Sequence, residues 1–237
     1  MNINENSKVP QHIAIVMDGN RRWAEKNNKS VSSGHKFGAE NAKKIAKAAH
    51  ELGVKYLTLY AFSSENWNRS AKEVEQLMFL LNYYLKNDKG EINKNNMRLN
   101  VIGNIDKLPK SLVKTIKDLS DKSSDNTGLI LTIAISYGSQ DEIIHATKEI
   151  AKQIKTGNLK IDNIDKKLFA KNLFTCDIPD PDLFIRPSGE FRVSNFLLWQ
   201  IAYSELYFSE KLWPDFGKED LKIAIEEFKQ RKRRYGK

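Results

Sequence analysis

Cysteine is nearly absent from this sequence, and apolar runs of membrane-spanning length are absent altogether. Because Cys176 is the single cysteine, no intramolecular disulfide can form, which fits a reducing compartment. No apolar run approaches the roughly 20 residues of a membrane-spanning helix, and residues 1–9 form a polar tail without the apolar core of a signal peptide. No internal repeat, low-complexity block or linker divides the chain. We therefore expect one domain over residues 1–237 and a cytoplasmic location.

Acidic residues are outnumbered by basic ones. The chain has 39 Lys and Arg against 30 Asp and Glu, which gives a formal charge of +9 over 237 residues. Such a balance favours anionic partners, which include phosphorylated small molecules, nucleic acid and membrane surfaces. The length fits one α/β domain with a sizeable core.

Apolar residues alternate along the chain between strand-like and helix-like spacing. The pattern predicts strands over 13–17, 56–62, 99–102, 129–135 and 182–185. It predicts helices over 36–52, 72–86, 111–120, 142–155, 166–174 and 218–233, while 196–208 is compatible with either. This alternation indicates a mostly parallel sheet with helices on both faces. Ligands of such folds bind at the carboxyl ends of the strands.

The segment that follows the first strand is Asp18-Gly19-Asn20-Arg21-Arg22-Trp23. Gly19 permits a tight turn, and a helix beginning there would present free N–H groups to an anion such as phosphate. Arg21 and Arg22 would add charged donors. Since the Asp18 carboxylate would repel a bare phosphate, its position suggests a bridging Mg²⁺. A plainer alternative is that Asp18 only caps the helix.

Polar loops also follow the second and fifth predicted strands. Residues 63–69 combine Ser, Glu, Asn, Trp and Arg, and residues 186–194 combine three kinds of anion-binding residue, namely Arg, Ser and Gly. Because parallel strands end at one edge, the loops 18–23 and 186–194 should share one rim. Two basic loops on one rim predict two phosphorylated ligands, and hence a transferase that joins them.

Three segments together carry a family resemblance. They are Asp-Gly-Asn-x-Arg-Trp (18–23), Leu-Tyr-Ala-Phe-Ser-Ser-Glu-Asn-Trp (59–67) and Ile-Arg-Pro-Ser-Gly-Glu-x-Arg-x-Ser-Asn-Phe (185–196). The sequence resembles the cis-prenyltransferases, and among them the undecaprenyl diphosphate synthase branch, over nearly its whole length. The resemblance implies condensation of isopentenyl diphosphate with an allylic diphosphate, farnesyl diphosphate, in successive cis additions. The implied product is undecaprenyl diphosphate, the precursor of the lipid carrier for cell-wall polysaccharide.

The resemblance also implies an architecture and partners. It implies a single α/β domain with a mostly parallel six-stranded sheet, an elongated apolar tunnel, a Mg²⁺ cofactor and a homodimer. In the family the C-terminal Arg-x-Gly, which is Arg234 and Gly236 in this sequence, completes the partner's site. Peripheral contact with the cytosolic face of a membrane would serve product release, and no nucleic acid is implied. Ala61, Met97 and Leu129 occupy strand positions where we expect them to line the tunnel.

The resemblance assigns roles position by position. Asp18 and Glu205 are the metal ligands. Asp18 and Asn66 are the catalytic residues, although a neutral amide is a very poor base, so we give Asn66 a positioning role and leave pyrophosphate as an alternative proton acceptor. The allylic diphosphate is bound by Gly19, Asn20, Arg21, Arg22, Trp23 and His35. The loop beside the reacting carbons supplies Ser63, Ser64, Glu65, Trp67 and Arg69, and isopentenyl diphosphate is bound by Arg186, Arg192, Val193 and Ser194.

The sequence departs from the family pattern at four places. Arg21 stands where many bacterial members have Gly, and Val31 stands where a basic residue is common. Ser139-Gln140 replaces a usual Gly-Arg, and Pro187 replaces a common Thr. These departures concern the affinity for the allylic substrate.

Other interpretations compete with this one. A noncatalytic partner subunit of the same fold would not need Asp18, Asn66 and Arg186, all of which are present. A nucleic-acid-binding protein would show a broad basic face with interleaved aromatics, whereas these arginines cluster with Gly and Ser at strand ends. The tryptophans Trp67, Trp199 and Trp213 are more typical of core positions than of a site. The acidic residues Asp177, Asp180 and Asp182 lie among prolines and are interpreted as part of a capped loop.

Overall fold

A computed structural model describes residues 9–87 and 89–231 of the chain. Its six strands form one sheet in the order β3-β4-β2-β1-β5-β6, and every pairing is parallel. The strands are β1 (His12–Val16), β2 (Tyr56–Ser63), β3 (Arg98–Ile102), β4 (Ile130–Tyr137), β5 (Leu183–Arg186) and β6 (Glu205–Phe208). The predicted α/β fold with a six-stranded parallel sheet is confirmed.

Helices connect the strands and cover both faces of the sheet. They are α1 (Asn20–Lys26), α2 (Val31–Glu51), α3 (Ala71–Asn87), α4 (Lys89–Lys94), α5 (Lys110–Lys122), α6 (Ser139–Lys155), α7 (Lys166–Ala170) and α8 (Lys218–Gln230). The helix α2 begins five residues before the predicted 36–52, because the Ser30 side chain accepts a hydrogen bond from the Ser33 amide and caps it. Residues 232–233 of the predicted last helix lie outside the described residues.

The strands divide their side chains between two core regions. On one face, Ile13 and Ile15 of β1 pack with α2 and α8. On the other face, Ala14 and Val16 pack in a cluster that includes Phe196 and Leu197. The continuous burial of β1 therefore reflects helices and loops on both faces, as its apolar sequence predicts.

The ambiguous segment 196–208 is neither one helix nor one strand. Phe196 is fully buried, and its ring stacks on Tyr60 with centroids 4.3 Å apart, so its apolar character serves a buried loop. Only Glu205–Phe208 pairs with β5 as the edge strand β6. The predicted helix 166–174 is also shorter, since the Phe174 amide donates instead to the buried Glu142 carboxylate at 2.8 Å.

Residues at the amino end of β1 are structural. The buried His12 ring lies between the Pro179 carbonyl and the Thr58 hydroxyl, at 2.6 and 2.8 Å. Asp182 accepts hydrogen bonds from the amides of Gln11 and His12, which agrees with its interpretation as part of a capped loop. Among the described residues no helix combines the length and apolar composition needed to cross a membrane.

Candidate active site

The Asp18 carboxylate lies at the centre of the rim formed by the strand ends. Its Oδ1 accepts a hydrogen bond from the Gly19 amide at 2.7 Å, and its Oδ2 accepts from Arg186 at 2.9 Å and from the Ser188 hydroxyl at 3.0 Å. Burial opposes ionisation, but the bonds from Arg186 and Ser188 outweigh it, so the pKa of Asp18 lies below its ordinary value. The carboxylate is therefore charged at neutral pH. It does not cap α1, whose N-cap is Gly19 and which has no side-chain cap.

Two glycines allow the close packing around this turn. Gly19 has φ of 100°, which favours glycine, and a Cβ there would lie 2.9 Å from Leu212 Cδ2. A Cβ on Gly38 of α2 would lie 2.1 Å from the Asn20 side-chain oxygen. The turn after β1 can therefore pack closely against Leu212 because Gly19 lacks a side chain, and Asn20 can pack against α2 because Gly38 lacks one.

Arg186 connects the first and last loops of the rim. Its side chain is almost fully buried, and Nη2 donates to Asp18. Nη1 donates to the Ser194 hydroxyl at 2.7 Å and to the Arg192 carbonyl. The loops that the sequence assigns to two separate diphosphates are thus joined through one guanidinium.

Two more arginines surround a second carboxylate of the same rim. Arg22 donates to the Ser188 carbonyl at 2.9 Å and lies 3.1 Å from Glu190, which also pairs with Arg192. Arg22 Nη2 lies 3.4 Å from Asp18. Arg22 and Arg192, predicted for different substrates, therefore meet at Glu190.

Glu73, in the first turn of α3, gathers three other predicted residues. Its carboxylate lies 2.8 Å from Arg21 and 2.9 Å from Arg69, and its Oε1 lies 3.7 Å from His35 Nε2. Burial and the Arg69 charge lower the pKa of His35 by more than the Glu73 carboxylate raises it. The pKa therefore lies below its ordinary value, and the imidazole is neutral at neutral pH. Glu73 is not among the residues predicted from the sequence, although its spacing four residues after Arg69 is that of a helical ion pair.

The turn after β2 is held by its own side chains. Asn66 accepts a hydrogen bond from the Ser63 amide at 3.1 Å, and this turn also contains Ser64. The Trp67 indole donates to the Ser136 hydroxyl at 2.9 Å. Because the Asn66 oxygen already accepts a backbone hydrogen bond, the structure favours a positioning role for its amide over that of a base.

Asn195 links this turn to the loop after β5. Its side-chain nitrogen donates to Glu65 at 2.8 Å, and its oxygen accepts from the Gln140 amide at 2.9 Å. The sequence analysis quoted Asn195 within a motif but gave it no role. The structure shows that it ties three loops of the rim together.

Some predicted site residues lie apart from this cluster. Trp23 is buried against Phe37, with its indole donating to Asp215 at 2.7 Å, so it supports α1 from behind the rim. Val193 is half-buried and packs against the cluster that contains Phe196. Neither side chain is among those that line the apolar cavities below the rim.

Glu205 is not brought to Asp18. It begins β6 in register with Leu183, which is itself paired with Ile13, so it lies at the amino edge of the sheet. From Ile13 to Asp18 the strand direction advances by about 16 Å at roughly 3.3 Å per residue. Within one chain Glu205 and Asp18 cannot share a metal ion, and Glu205 instead lies 3.1 Å from Arg231. The predicted pair of metal ligands is therefore wrong for a single chain.

An apolar cavity of about 290 Å³ lies below the rim, between α2, α3, α4 and strands β2 to β4. A smaller cavity of about 80 Å³ reaches from it toward Asn20 and His35. Ala61 and Met97 line the larger cavity as predicted, whereas Leu129 is wrong as a lining residue and is fully buried in the core. Ala61 lies where the β2–β4 register is irregular, which opens space at the end of the strand.

Unpartnered polar atoms indicate where a ligand would bind. Among the described residues, four buried side-chain atoms lack a hydrogen-bond partner, and three of them belong to this site: Asn20 Oδ1, His35 Nε2 and Arg186 Nε. Buried polar groups normally find a partner. A guanidinium donor, an amide acceptor and an imidazole nitrogen left unsatisfied at one rim fit a site that is completed by a polar ligand.

The residues present fit a magnesium ion held jointly with a substrate. No cluster of three or more His, Cys, Asp and Glu side chains able to hold a metal occurs in the described part of the chain. Mg²⁺, however, usually binds through one or two carboxylates together with substrate phosphates. A single ionised Asp18 beside the arginines of this rim meets that requirement.

A basic rim at the carboxyl edge of a parallel sheet that opens onto an apolar cavity fits an enzyme that binds a diphosphate together with an apolar chain, as prenyltransferases do. The chain belongs to the undecaprenyl diphosphate synthase family: the model described as "Putative undecaprenyl diphosphate synthase" matches residues 16–236.

Relatives and solved structures agree with this assignment. The chain is 47% identical to an isoprenyl transferase of Clostridium perfringens over 97% of this chain and 90% of that protein. It superposes on lavandulyl diphosphate synthase from Lavandula x intermedia in complex with dimethylallyl diphosphate with a TM-score of 0.95 and 38% identity, covering 97% and 99% of the two chains. Superposition on a probable undecaprenyl diphosphate synthase from Campylobacter jejuni gives a TM-score of 0.79 at 34% identity, covering 97% of this chain and 100% of the other.

Proposed function

We propose that this prenyltransferase condenses isopentenyl diphosphate with an allylic diphosphate, farnesyl diphosphate, and elongates the product by successive cis additions. The observation that carries the proposal is the junction of the arginine-rich rim with the apolar cavities. A diphosphate held at the rim would place its apolar chain in the space below. Each methylene moved from water into that space contributes about 0.8 kcal/mol, which favours a growing prenyl chain.

The proposed roles follow the contacts. Asn20 and the neutral His35 line the smaller cavity and, together with Arg22 of α1, would bind the allylic diphosphate. Arg192 and Ser194 are held by Glu190 and Arg186, and would bind isopentenyl diphosphate. Fixed guanidinium donors stabilise the negative charge that develops on departing pyrophosphate, and each donor of this type is worth about 3–4 kcal/mol.

Asp18 would hold Mg²⁺ together with substrate phosphates. When bound, the ion would supply positive charge to the leaving pyrophosphate. Arg186 and Ser188 orient the carboxylate for this role, since both donate to its Oδ2. The proton lost from the new prenyl unit would pass to pyrophosphate, with Asn66 positioning the substrate.

The proposed function is tested by incubating the purified protein with farnesyl diphosphate, labelled isopentenyl diphosphate and Mg²⁺. We expect label in polyprenyl diphosphates, separated by chromatography after removal of phosphate. Absence of any labelled prenyl product would refute the proposal. We propose that the product is undecaprenyl diphosphate, the precursor of the lipid carrier for cell-wall polysaccharide. It would be made in the cytoplasm and released at the membrane surface.

Ala61 provides a test of the cavity as the chain-binding site. Ala61→Leu adds bulk at a position that lines both cavities, and we expect shorter products with the first condensations retained. Chromatography of the product mixture measures this. Ala151→Leu, at an exposed position of α6, is the matched control and should leave the distribution unchanged. An unaltered distribution in Ala61→Leu would place the growing chain elsewhere.

We propose a homodimer formed through β6. This strand is at the edge of the sheet; Leu206 within it is 38% exposed, and Tyr203 just before it is 79% exposed. Edge strands with exposed apolar residues favour pairing. A metal role for Glu205 would require such a second chain, and the predicted contribution of Arg234 and Gly236 lies outside the described residues.

Analytical ultracentrifugation tests the proposed dimer. We expect a dimer for the wild-type protein and a mainly monomeric Leu206→Asp variant, because the new carboxylate would be buried without a partner. Ile161→Asp changes a side chain that is 68% exposed and should remain dimeric. A dimeric Leu206→Asp variant would exclude this surface.

A further inference from the structure

Five side chains line both the small cavity near the rim and the larger apolar cavity. They are Met17, Ala39, Ala61, Leu81 and Tyr84. Tyr84 is the largest of the five and the only aromatic one. Any chain that extends from the rim into the larger cavity must pass beside its ring.

Contacts with α2 hold the Tyr84 ring at this junction. Its hydroxyl donates to Glu40 at 3.2 Å and lies 3.4 Å from the Lys36 carbonyl. The Lys43 ammonium lies 4.4 Å from the ring centroid, within cation–π range. The ring is therefore held against α2 at the junction of the two cavities.

We propose that Tyr84 sets the product length, because its ring limits how far the growing chain extends from the small cavity into the larger one. This inference rests on the proposed elongation reaction. Tyr84 is then a specificity-determining residue that contacts the apolar end of the chain and takes no part in bond formation.

A purely structural role is the alternative. Tyr84 also joins α3 to α2, and a tether of this kind would affect stability without changing product length. The two roles are separable, because the hydroxyl group makes the hydrogen bonds to α2 whereas the ring narrows the passage.

The test measures the product distribution of purified variants with farnesyl diphosphate and labelled isopentenyl diphosphate. We expect Tyr84→Leu to lengthen the most abundant product by at least one five-carbon unit and Tyr84→Trp to shorten it. Tyr84→Phe keeps the ring and should retain the wild-type distribution. Tyr83→Leu is the matched control, since this neighbouring ring is 53% exposed on the outer face of α3 and should not affect length.

Each outcome bears on the inference. If circular dichroism shows that Tyr84→Leu does not fold, the test rests on Tyr84→Trp. A shorter product from Tyr84→Trp supports the inference, and an unchanged product length overturns it. A wild-type distribution in folded Tyr84→Leu, or an equal shift in Tyr83→Leu or Tyr84→Phe, also overturns it while leaving the proposed function intact. Failure of the wild-type protein to incorporate label refutes the proposed function, and this inference with it.

Discussion

Replacing Asp18 with Ala is expected to lower condensation by at least about 100-fold, with the fold retained. The carboxylate is ionised, lies at the meeting point of the loops after β1 and β5, and accepts hydrogen bonds from Gly19, Arg186 and Ser188. Its loss removes the proposed metal ligand and leaves the buried Arg186 guanidinium without its carboxylate partner. Initial rates with labelled isopentenyl diphosphate measure the effect.

Two further variants separate charge from shape at this position. Asp18→Asn keeps the size of the side chain and removes its charge, and we expect a loss similar to that of Asp18→Ala. Asp125→Ala changes an exposed aspartate in a distant turn and should retain wild-type turnover. Near-wild-type turnover of Asp18→Ala, with an unchanged circular dichroism spectrum, would contradict a role for this carboxylate in the reaction.

Replacing Arg186 with Met is expected to lower both activity and stability. The substitution removes hydrogen bonds to Asp18, Ser194 and the Arg192 carbonyl, which connect two loops of the rim. Leaving buried acceptors unpaired costs about 1–3 kcal/mol each, although the exposed side of this rim reduces the penalty. We expect a turnover at least about 100-fold lower and a reduced midpoint of thermal unfolding.

The pH dependence of Arg186→Met gives a second readout. Arg186 helps to hold the pKa of Asp18 below its ordinary value, so the pKa should rise when the guanidinium is absent. If the reaction needs the ionised carboxylate, residual activity should be lost at a higher pH on the acid side than in the wild-type protein.

The free energy of unfolding of Arg186→Met should also change with pH in the direction that the raised pKa of Asp18 implies. A carboxyl group with a depressed folded-state pKa stabilises the fold above its unfolded pKa, and this contribution disappears as pH falls through the folded value. The Arg186→Met variant should therefore lose less stability between neutral and acid pH than the wild-type protein does. Arg98→Met, at the exposed start of β3, is the control. If the acid side of the pH–activity profile of Arg186→Met is identical to that of the wild-type protein, Arg186 does not set the ionisation of Asp18.

Much of the rim could be predicted from the sequence because it follows directly from strand ends. Asp18 and Arg186 each lie at or just beyond the end of a buried strand, and parallel strands necessarily bring those ends to one edge. Glu205 was predicted as a partner of Asp18 from the family resemblance alone. Its position in register with Leu183 places it at the other edge, which depends on the pairing of β6 with β5.

Residues that act through long-range contacts were harder to predict. Glu73 looks like an ordinary exposed position in an amphipathic helix, yet packing of α3 beside α1 and α2 places it between Arg21, Arg69 and His35. Trp23 belongs to a conspicuous motif, but its indole bonds to Asp215, far along the chain, and turns away from the rim. The Arg21–Glu73 and Trp23–Asp215 contacts do not follow from local spacing, because the two residues of each pair come from distant segments.

The sequence by itself determined the α/β class and the place of the polar loops at the strand ends, because apolar periodicity and loop composition are local properties. Only the tertiary structure decided which carboxylates meet which arginines and where the cavities lie. Tyr84 shows the difference: its place in a helix is evident from the sequence, but its contacts with Glu40 and Lys43 arise only when α3 packs on α2. Helix packing angles and side-chain interdigitation depend on the whole core, and no short segment of sequence contains them.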